Sequence, residues 1–433
     1  MTSGGGTLAV TITRVAESGD IETLWRDLET LADVAFFLTW DWIGCWLGQS
    51  GADPYLITVR DGECVVAMAL LQPSRQRRHY LLGADALILH QIGDTAADII
   101  TIEHNGILAD RRCAPQAMQA VIDSLLDSQP GGSGLHWEEL HLGGVPAPET
   151  LRPLADHAGL MTWYHSYKQS WVVDLDGLRC SGGSYLDSLS ANTRYQIRRS
   201  IRLYKARGPL TSTAATTVAE AMGYFDHMKE LHQRYWVDRG EPGSFAYPFF
   251  ERFHRALIAD CLPKGTVELV CVAVGGEPIG YVYNFISNGW VCAYHTGFRY
   301  EPDPKLKPGL VSHYLCIDYH LRHGARLYDF LAGNERYKAS LARPGPDIAH
   351  LVLQRPLLKL RAERAARWVK NAGSLRRSSE GPKARGKALV LGDDTRSFLI
   401  PSLPDQNLCA HSRMPMDMMR HGCASSLFHV SQQ

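Results

Sequence analysis

Long apolar runs are missing from this 433-residue chain. Its most hydrophobic stretches, such as Val65 to Leu71, fall far short of the roughly 20 residues a bilayer-spanning helix requires. Charge excess is missing too. Lys plus Arg number 45 and Asp plus Glu 45, which speaks against a protein that coats DNA over its whole surface but leaves a local basic patch open. None of the ten cysteines (45, 64, 113, 180, 261, 271, 292, 316, 409 and 423) forms a C-x-x-C pair. Most sit among apolar neighbours, which predicts buried thiols in a reducing cytosol rather than disulfides or a metal site. The opening MTSGGGTLAVTITR has neither a basic nor an apolar leader region, so the chain is expected to be cytoplasmic. There is no G-x-S-x-G, P-loop or paired-carboxylate motif. His313, His320 and His323 share a helical stretch without an H-E-x-x-H pattern, and no metal is expected.

What is present is ordinary globular material. Hydrophobic residues make up 45% and charged residues 21%, enough for a normal core. At about 150 residues per domain the length predicts two or three domains. Two stretches read as β-meanders. Tyr55 to Arg60 and Glu63 to Gln72 flank Asp61-Gly62, a type I′ hairpin signal. Val267 to Val274, Pro278 to Ser287 and Trp290 to Phe298 are joined by Gly275-Gly276 and Asn288-Gly289. Each meander leads through a loop into a helix and then a strand: Pro115 to about Asp127 before His136 to Leu142, and Gly309 to His323 before Arg326 to Leu331. That order, repeated roughly 190 residues apart, predicts an ancient duplication of one α/β unit. Between the halves lie a strand at Ser170 to Leu175 and helices ending near Ala206, Trp236 and Cys261. The expected division is therefore residues 1–165, 166–350 and 351–433.

The last segment differs in composition. Residues 355 to 387 hold eleven Lys or Arg against Glu363 and Glu380, and 374–387 read as a linker before a loosely ordered tail. Pro356 to Asn371 sets basic residues around a modest apolar face, suited to packing on the protein or to a peripheral contact with anionic lipid.

Three blocks carry further meaning: Leu186 to Arg202 (LDSLSANTRYQIRRSIR), Pro308-Gly309-Leu310, and Tyr328 to Lys338 (YDFLAGNERYK). Together they resemble the CelD-like acetyltransferases of the GNAT superfamily, relatives of the FemAB peptidoglycan-bridge enzymes. That group's patterns are L-S-x-x-x-R-x-x-x-R-R, a P-G opening a helix, and D-F-x-x-G-x-x-x-Y-K. Phe36-Phe37-Leu38-Thr39-Trp40-Asp41-Trp42 resembles its opening P-F-x-x-x-x-W. The superfamily's pyrophosphate signature, Q/R-x-x-G-x-G/A, is absent, and Lys307-Pro308-Gly309-Leu310 stands in its place.

The resemblance implies α/β (α+β) tandem GNAT-like lobes, each a mixed, mainly antiparallel twisted sheet flanked by helices. It implies acyl transfer from acetyl-CoA or another acyl-CoA to an amine or hydroxyl, with a small-molecule or glycan acceptor in polysaccharide or cell-envelope synthesis. The donor pyrophosphate would sit at a helix start, where unpaired N–H groups and the dipole favour anions. Lys307, Gly309, Leu310 and Ser312 are its candidate contacts. His295 is a candidate base by its ordinary pKa, Tyr337 a proton donor to the leaving thiolate, and Lys338 a charge stabiliser. Asp329 joins this catalytic set or else caps or pairs with a cation. Arg194 and Arg198, with Arg199 and Arg202, make one helix face that would grip an anionic substrate or remain solvated. A FemAB-type transfer from aminoacyl-tRNA and a non-catalytic GNAT module are the rival readings.

Overall fold

A computed structural model describes residues 8–78, 82–127 and 135–367. The linker and tail from 374, and the end of the 356–371 stretch, lie outside the described residues. In the first half, strands β1 (Ala9–Arg14), β2 (Tyr55–Asp61), β3 (Cys64–Arg78), β4 (Leu82–Leu89), β5 (Leu108–Ala109), β6 (Glu139–Pro146) and β7 (Met161–Asp174) alternate with helices. Those helices are α1 (Ile21–Glu29), α2 (Trp40–Ser50), α3 (Ala114–Leu126) and α4 (Leu151–His157). The second half has α5 (Leu175–Cys180), α6 (Tyr185–Ser188) and α7 (Ala191–Lys205), then β8 (Leu210–Ala214), α8 (Val218–Val237) and α9 (Pro248–Cys261). The second meander follows as β9 (Val267–Val274), β10 (Glu277–Ser287) and β11 (Trp290–Phe298). The chain continues with α10 (Pro308–Arg322), β12 (Leu327–Ala332), α11 (Arg336–Leu341) and β13 (Arg343–Gln354).

Turn chemistry sets the meanders. Asn288 and Gly289 both take positive φ (49° and 75°), the type I′ requirement that Asn-Gly satisfies at little steric cost. At the first hairpin Asp61 pairs with Cys64, so the turn is Gly62-Glu63 rather than Asp61-Gly62. Gly62 alone has positive φ there (58°), which is the II′ pattern and not the expected I′. Period-2 alternation then sorts side chains. In β9, Val267 and Leu269 face one core while Val270, Val272 and Val274 face the other.

All the main strands form one sheet in the order β1-β2-β3-β4-β6-β13-β7-β12-β11-β10-β9-β8. The duplication is visible in it. β4 pairs in parallel with β6, as β11 does with β12, and every other main pairing is antiparallel. The two halves also exchange strands. β7 follows the first lobe's helix α4 but pairs with β12 of the second lobe. β13 follows the second lobe's α11 but pairs with β6 of the first. β7 and β13 lie against each other from Met161↔Gln354 to Val172↔Arg343. The divisions placed at 165/166 and 350/351 fall inside these strands. β13 was not legible as a strand because it opens Arg343-Pro344-Gly345-Pro346, and proline removes ladder donors. Pro344 still pairs with Trp171, and an irregularity between Pro344 and Asp347 takes up Pro346.

One face of the sheet packs α1, α2, α8 and α9 into a core common to both lobes. The aromatic run near residue 40 is its key. Phe36 stacks on Phe285 at 4.6 Å between ring centroids, and Trp42 meets Phe253 at 4.8 Å. Asp41, on the same helix, accepts hydrogen bonds from Thr266 Oγ1 (2.7 Å) and Lys264 Nζ (3.1 Å) of the other lobe. The opposite face carries separate cores, under α3 and α4 in the first lobe and under α5, α6, α7 and α10 in the second.

Exchanged strands make the lobes one cooperative unit. Leu351→Ala, in the fully buried β13–β6 ladder, should cost about 2–5 kcal/mol. Calorimetry should show a single transition moved to lower temperature. Two resolved transitions, only one of them shifted, would contradict the exchange.

Candidate active site

The parallel pairing of β11 and β12 lasts three residues, Trp290↔Leu327, Val291↔Tyr328 and Cys292↔Asp329. Both strands are then irregular. β11 bulges between its pairings of Ala293 and His295 with β10, and β12 slips against β7 between Asp329 and Ala332, with Leu331 at φ 63°. The strands part, and a cavity of about 390 Å³ opens between Ala293–Thr296 and Phe330–Ala332. Trp236, Tyr247 and Phe250 wall one side, His313, Tyr337 and Lys338 another, and Ile99, Thr101 and Glu103 of the first lobe close it.

The equivalent wedge of the first lobe is stitched shut. β4 and β6 also pair in parallel for three residues. Beyond them Asn105 Nδ2 donates to the carbonyls of Leu89 (3.1 Å) and Gly143 (2.8 Å), bridging the two strands. Its backbone N–H donates to Gly144 O at 2.9 Å. Gly144 has φ 73°, and a Cβ there would collide with the Ile102 carbonyl, so the loop fits only against glycine. The plug loop 102–106 also sends Glu103 and His104 into the second lobe.

There His104 Nε2 lies 2.9 Å from Asp329 Oδ2, and Trp290 Nε1 donates to the same oxygen at 3.2 Å. Leu331 N–H donates to Asp329 Oδ1 at 2.6 Å. Glu103 Oε2 accepts the Ala332 N–H at 2.7 Å, while Lys338 Nζ donates to the Ala332 carbonyl at 2.7 Å and pairs with Glu335 at 3.2 Å. Gly333 is required beside them, because a Cβ would strike the Glu335 carboxylate and stand 2.6 Å from Lys338 Nζ. The irregular end of β12 is thus held from both lobes. Burial pushes the His104 pKa down, but the charge and hydrogen bond of Asp329 and the charge of Glu103 outweigh it, so it is raised. Burial raises the Glu103 pKa against the opposing charge of Lys338.

His295, Tyr337 and Lys338 all line the cavity, as do His313 and Glu103. Asp329 does not. It is fully buried behind the wall with three hydrogen-bond partners, a brace rather than an exposed acid. His295 Nε2 and both ring nitrogens of His313 are buried without a hydrogen-bond partner. Burial, then the neighbouring His232 and His254, hold the His295 pKa well below the usual range, so this imidazole is neutral and poorly suited to hold a proton. Burial and the Lys338 charge push His313 to about 3. Lys338, the candidate charge stabiliser, is buried and already paired with Glu335. Tyr337 stacks on His313 at 5.6 Å.

Lys307, Gly309 and Leu310 stand at the opening of α10. Pro308 occupies the first turn, where its missing N–H matters least. The Lys307 N–H donates to Ser200 Oγ of α7 at 2.9 Å. Gly309 allows close packing, since a Cβ there would sit 3.2 Å from the Phe298 ring. Ser312 lies elsewhere. It is fully buried with an unpartnered Oγ and caps nothing. Arg194 and Arg198 are on the outer face of α7, away from the cavity. The sequence reading did not reach Glu103 and His104, which sit in an aperiodic polar loop. Their only local signal is a Glu-His-Asn run between apolar residues.

Residues 191–339 match the acetyltransferase (GNAT) domain family. The chain carries a GNAT acetyltransferase domain. It is an acyltransferase by that match, with the diverging strands, α10 and the cavity all inside or against the matched span. FemX shares the fold at 11% identity and a TM-score of 0.51, with 78% of this chain and 96% of that one covered. A tandem GNAT protein from the clavulanic acid biosynthesis pathway aligns over 80% of this chain and 98% of its own at 15% identity and TM-score 0.41. L-PGS from Bacillus licheniformis does so over 75% and 95% at 10% identity and TM-score 0.43. No curated protein matches the chain by sequence. Among the described residues no helix is long and apolar enough to cross a membrane.

Two outcomes test the site's construction. Lys338→Met leaves Glu335 buried without its cation, so urea denaturation should register a loss of about 3–5 kcal/mol. Adding Glu335→Gln should restore part of it. A stable single variant would show that the pair is not a buried one. The second concerns pH. A raised His104 pKa gives stability fully present below about 6.5, histidine's ordinary value, and lost as pH climbs through the raised one. Glu103, also raised, acts in the same direction at lower pH. Melting temperature should therefore fall as pH rises above about 6.5, and His104→Asn should flatten the fall. An unchanged slope in that variant would remove His104 from the account.

Proposed function

We propose that the protein transfers an acyl group from acyl-CoA to an amine or hydroxyl acceptor in the inter-lobe cavity. One observation carries this reading: two adjacent parallel strands separate beside the open start of α10, and the gap leads to buried, unpartnered imidazoles. The opening of α10 fits an anionic donor. Gly309 and Leu310 have first-turn N–H groups, and the Lys307 pKa is lowered by burial and by the Arg199 charge, a repulsion that a phosphate would relieve.

The donor supplies an activated thioester. The chain's residues then divide the remaining work. Glu103 is the buried carboxyl group on the cavity wall, beside the more open Glu241, with Oε2 on the Ala332 N–H, so it is placed to take the acceptor's proton. A carboxyl whose pKa is raised is better matched to that task near neutrality. His295 and His313 stay neutral and offer hydrogen bonds to the acceptor or the thioester carbonyl. The Tyr337 hydroxyl would protonate the departing thiolate. The Lys338 ammonium, fixed by Ala332 and Glu335, adds positive potential where negative charge develops. The acceptor belongs, by the resemblance, to a glycan or cell-envelope precursor. The FemX-like fold keeps an aminoacyl-tRNA donor as the second reading.

Thermal-shift titration with CoA, acetyl-CoA and longer acyl-CoAs tests the donor. At a concentration 100 times Kd, binding stabilises by about 2.7 kcal/mol and melting should rise accordingly. No rise with any of them would turn the assignment to the tRNA donor. In a transfer assay with labelled acyl-CoA and a panel of amines and glycan precursors, Glu103→Gln should lower kcat roughly 10²-fold with CoA affinity retained.

A further inference from the structure

Helix α7 carries a feature that acyl transfer in the cavity does not use. Ala191, Arg194, Tyr195, Arg198, Arg199 and Arg202 line a surface groove of about 380 Å³. Arginines at 194, 198 and 202 repeat every fourth residue, so their side chains rise about 6 Å per step along one face. Like charges at this spacing repel one another and destabilise a helix. The compensation present is small. Arg194 donates to the Asp187 and Leu189 carbonyls (2.8 and 3.0 Å) and so holds the turn before the helix. Arg198 reaches the exposed Asp187 carboxylate at only 3.4 Å. Among the described residues Arg202 has no ion pair or hydrogen bond, and Arg199 Nε is buried without a partner. Tyr195 stands among them 58% exposed, with the Arg199 guanidinium 5.2 Å from its ring centroid.

The groove is joined to the donor end of the site. Ser200, one residue past Arg199, receives the Lys307 N–H at the opening of α10. The Arg199 charge is also felt at Lys307. Cations spaced along a groove, with an exposed aromatic ring between them, suit a base that stacks and phosphates that pair.

We infer that the α7 groove holds the adenosine-phosphate end of the acyl donor, its base on Tyr195 and its phosphate on Arg199 and Arg202. This rests on the donor reading above. Adenosine phosphate is common to CoA, which ends in adenosine 3′,5′-bisphosphate, and to the 3′ end of tRNA. The groove therefore accommodates either source, and the test must separate them.

Calorimetric titration of the full chain uses CoA, dephospho-CoA, adenosine 3′,5′-bisphosphate, and tRNA with or without its terminal adenosine. Tyr195→Ala and Arg202→Gln alter exposed side chains and should leave the fold intact, as circular dichroism would verify. With CoA as donor, Tyr195→Ala weakens CoA and the bisphosphate roughly tenfold or more. Arg202→Gln weakens CoA, dephospho-CoA and the bisphosphate by a similar factor, since the phosphate common to both donors is the 5′-phosphate. If wild-type protein binds no CoA, the acyl-CoA reading fails. The groove then stands only if tRNA binds, needs its terminal adenosine, and is weakened by both variants. Wild-type affinities in both variants, for whichever donor binds, overturn the inference. So would tRNA binding that ignores the terminal adenosine, since that is general polyanion attraction.

Discussion

Everything in this molecule hangs on the antiparallel ladder between β7 and β13. Each strand begins in one lobe's connectivity and ends in the other lobe's sheet. Separating the lobes would break not a surface contact but the central pairings of a continuous sheet. Because the ladder is central, each of its strands is paired on both edges and its backbone groups are satisfied within the sheet. The shared core beneath, keyed by Phe36, Phe37 and Trp42, adds apolar area on one face. A tandem architecture thereby becomes a single frame that holds loops of one lobe at fixed distance from strands of the other.

That frame allows the lobes to differ in task. In both, a parallel pair of strands runs for three residues and then has reason to part. In the first lobe Asn105 closes the gap, tying Leu89 to Gly143. In the second the gap stays open, because the residues that might fill it are drawn aside. Asp329 is turned back into the wall by His104, Trp290 and the Leu331 N–H. Ala332 is held by Glu103 on one side and Lys338 on the other. The loop that seals one wedge is therefore the loop that props the other.

The buried polar groups near the site differ in their partners. Asp329, Asn105 and Asp41 are fully bonded and act as braces. The His313 imidazole and His295 Nε2 are buried without partners and line the cavity. A buried polar atom with nothing to bond is costly unless a ligand or water completes it. These two histidines therefore mark the place where something else belongs.

Local patterning was enough to read much of the second lobe. The meander, its Asn288-Gly289 turn, the helix opened by Pro308 and the strand after it depend on turn residues and on side-chain period, and both are written in neighbouring letters. The motif ending Tyr337-Lys338 was also legible, and it does reach the cavity. Asp329, in the same motif, looked equally chemical, and only the arrival of His104 from 225 residues away shows it to be a brace. Glu103 was invisible for the same reason. Nothing in a polar loop reveals which distant strand it will touch. Nor could proline-bearing β13 announce itself as a central strand, since its place was decided by a partner strand about 180 residues earlier. Sequence by itself determined most of the second lobe's elements and the repeated meander–helix–strand order, because those follow from local backbone preference and burial period. Tertiary structure alone decided which wedge is open and which carboxylate faces it, because both depend on contacts made across the exchanged sheet.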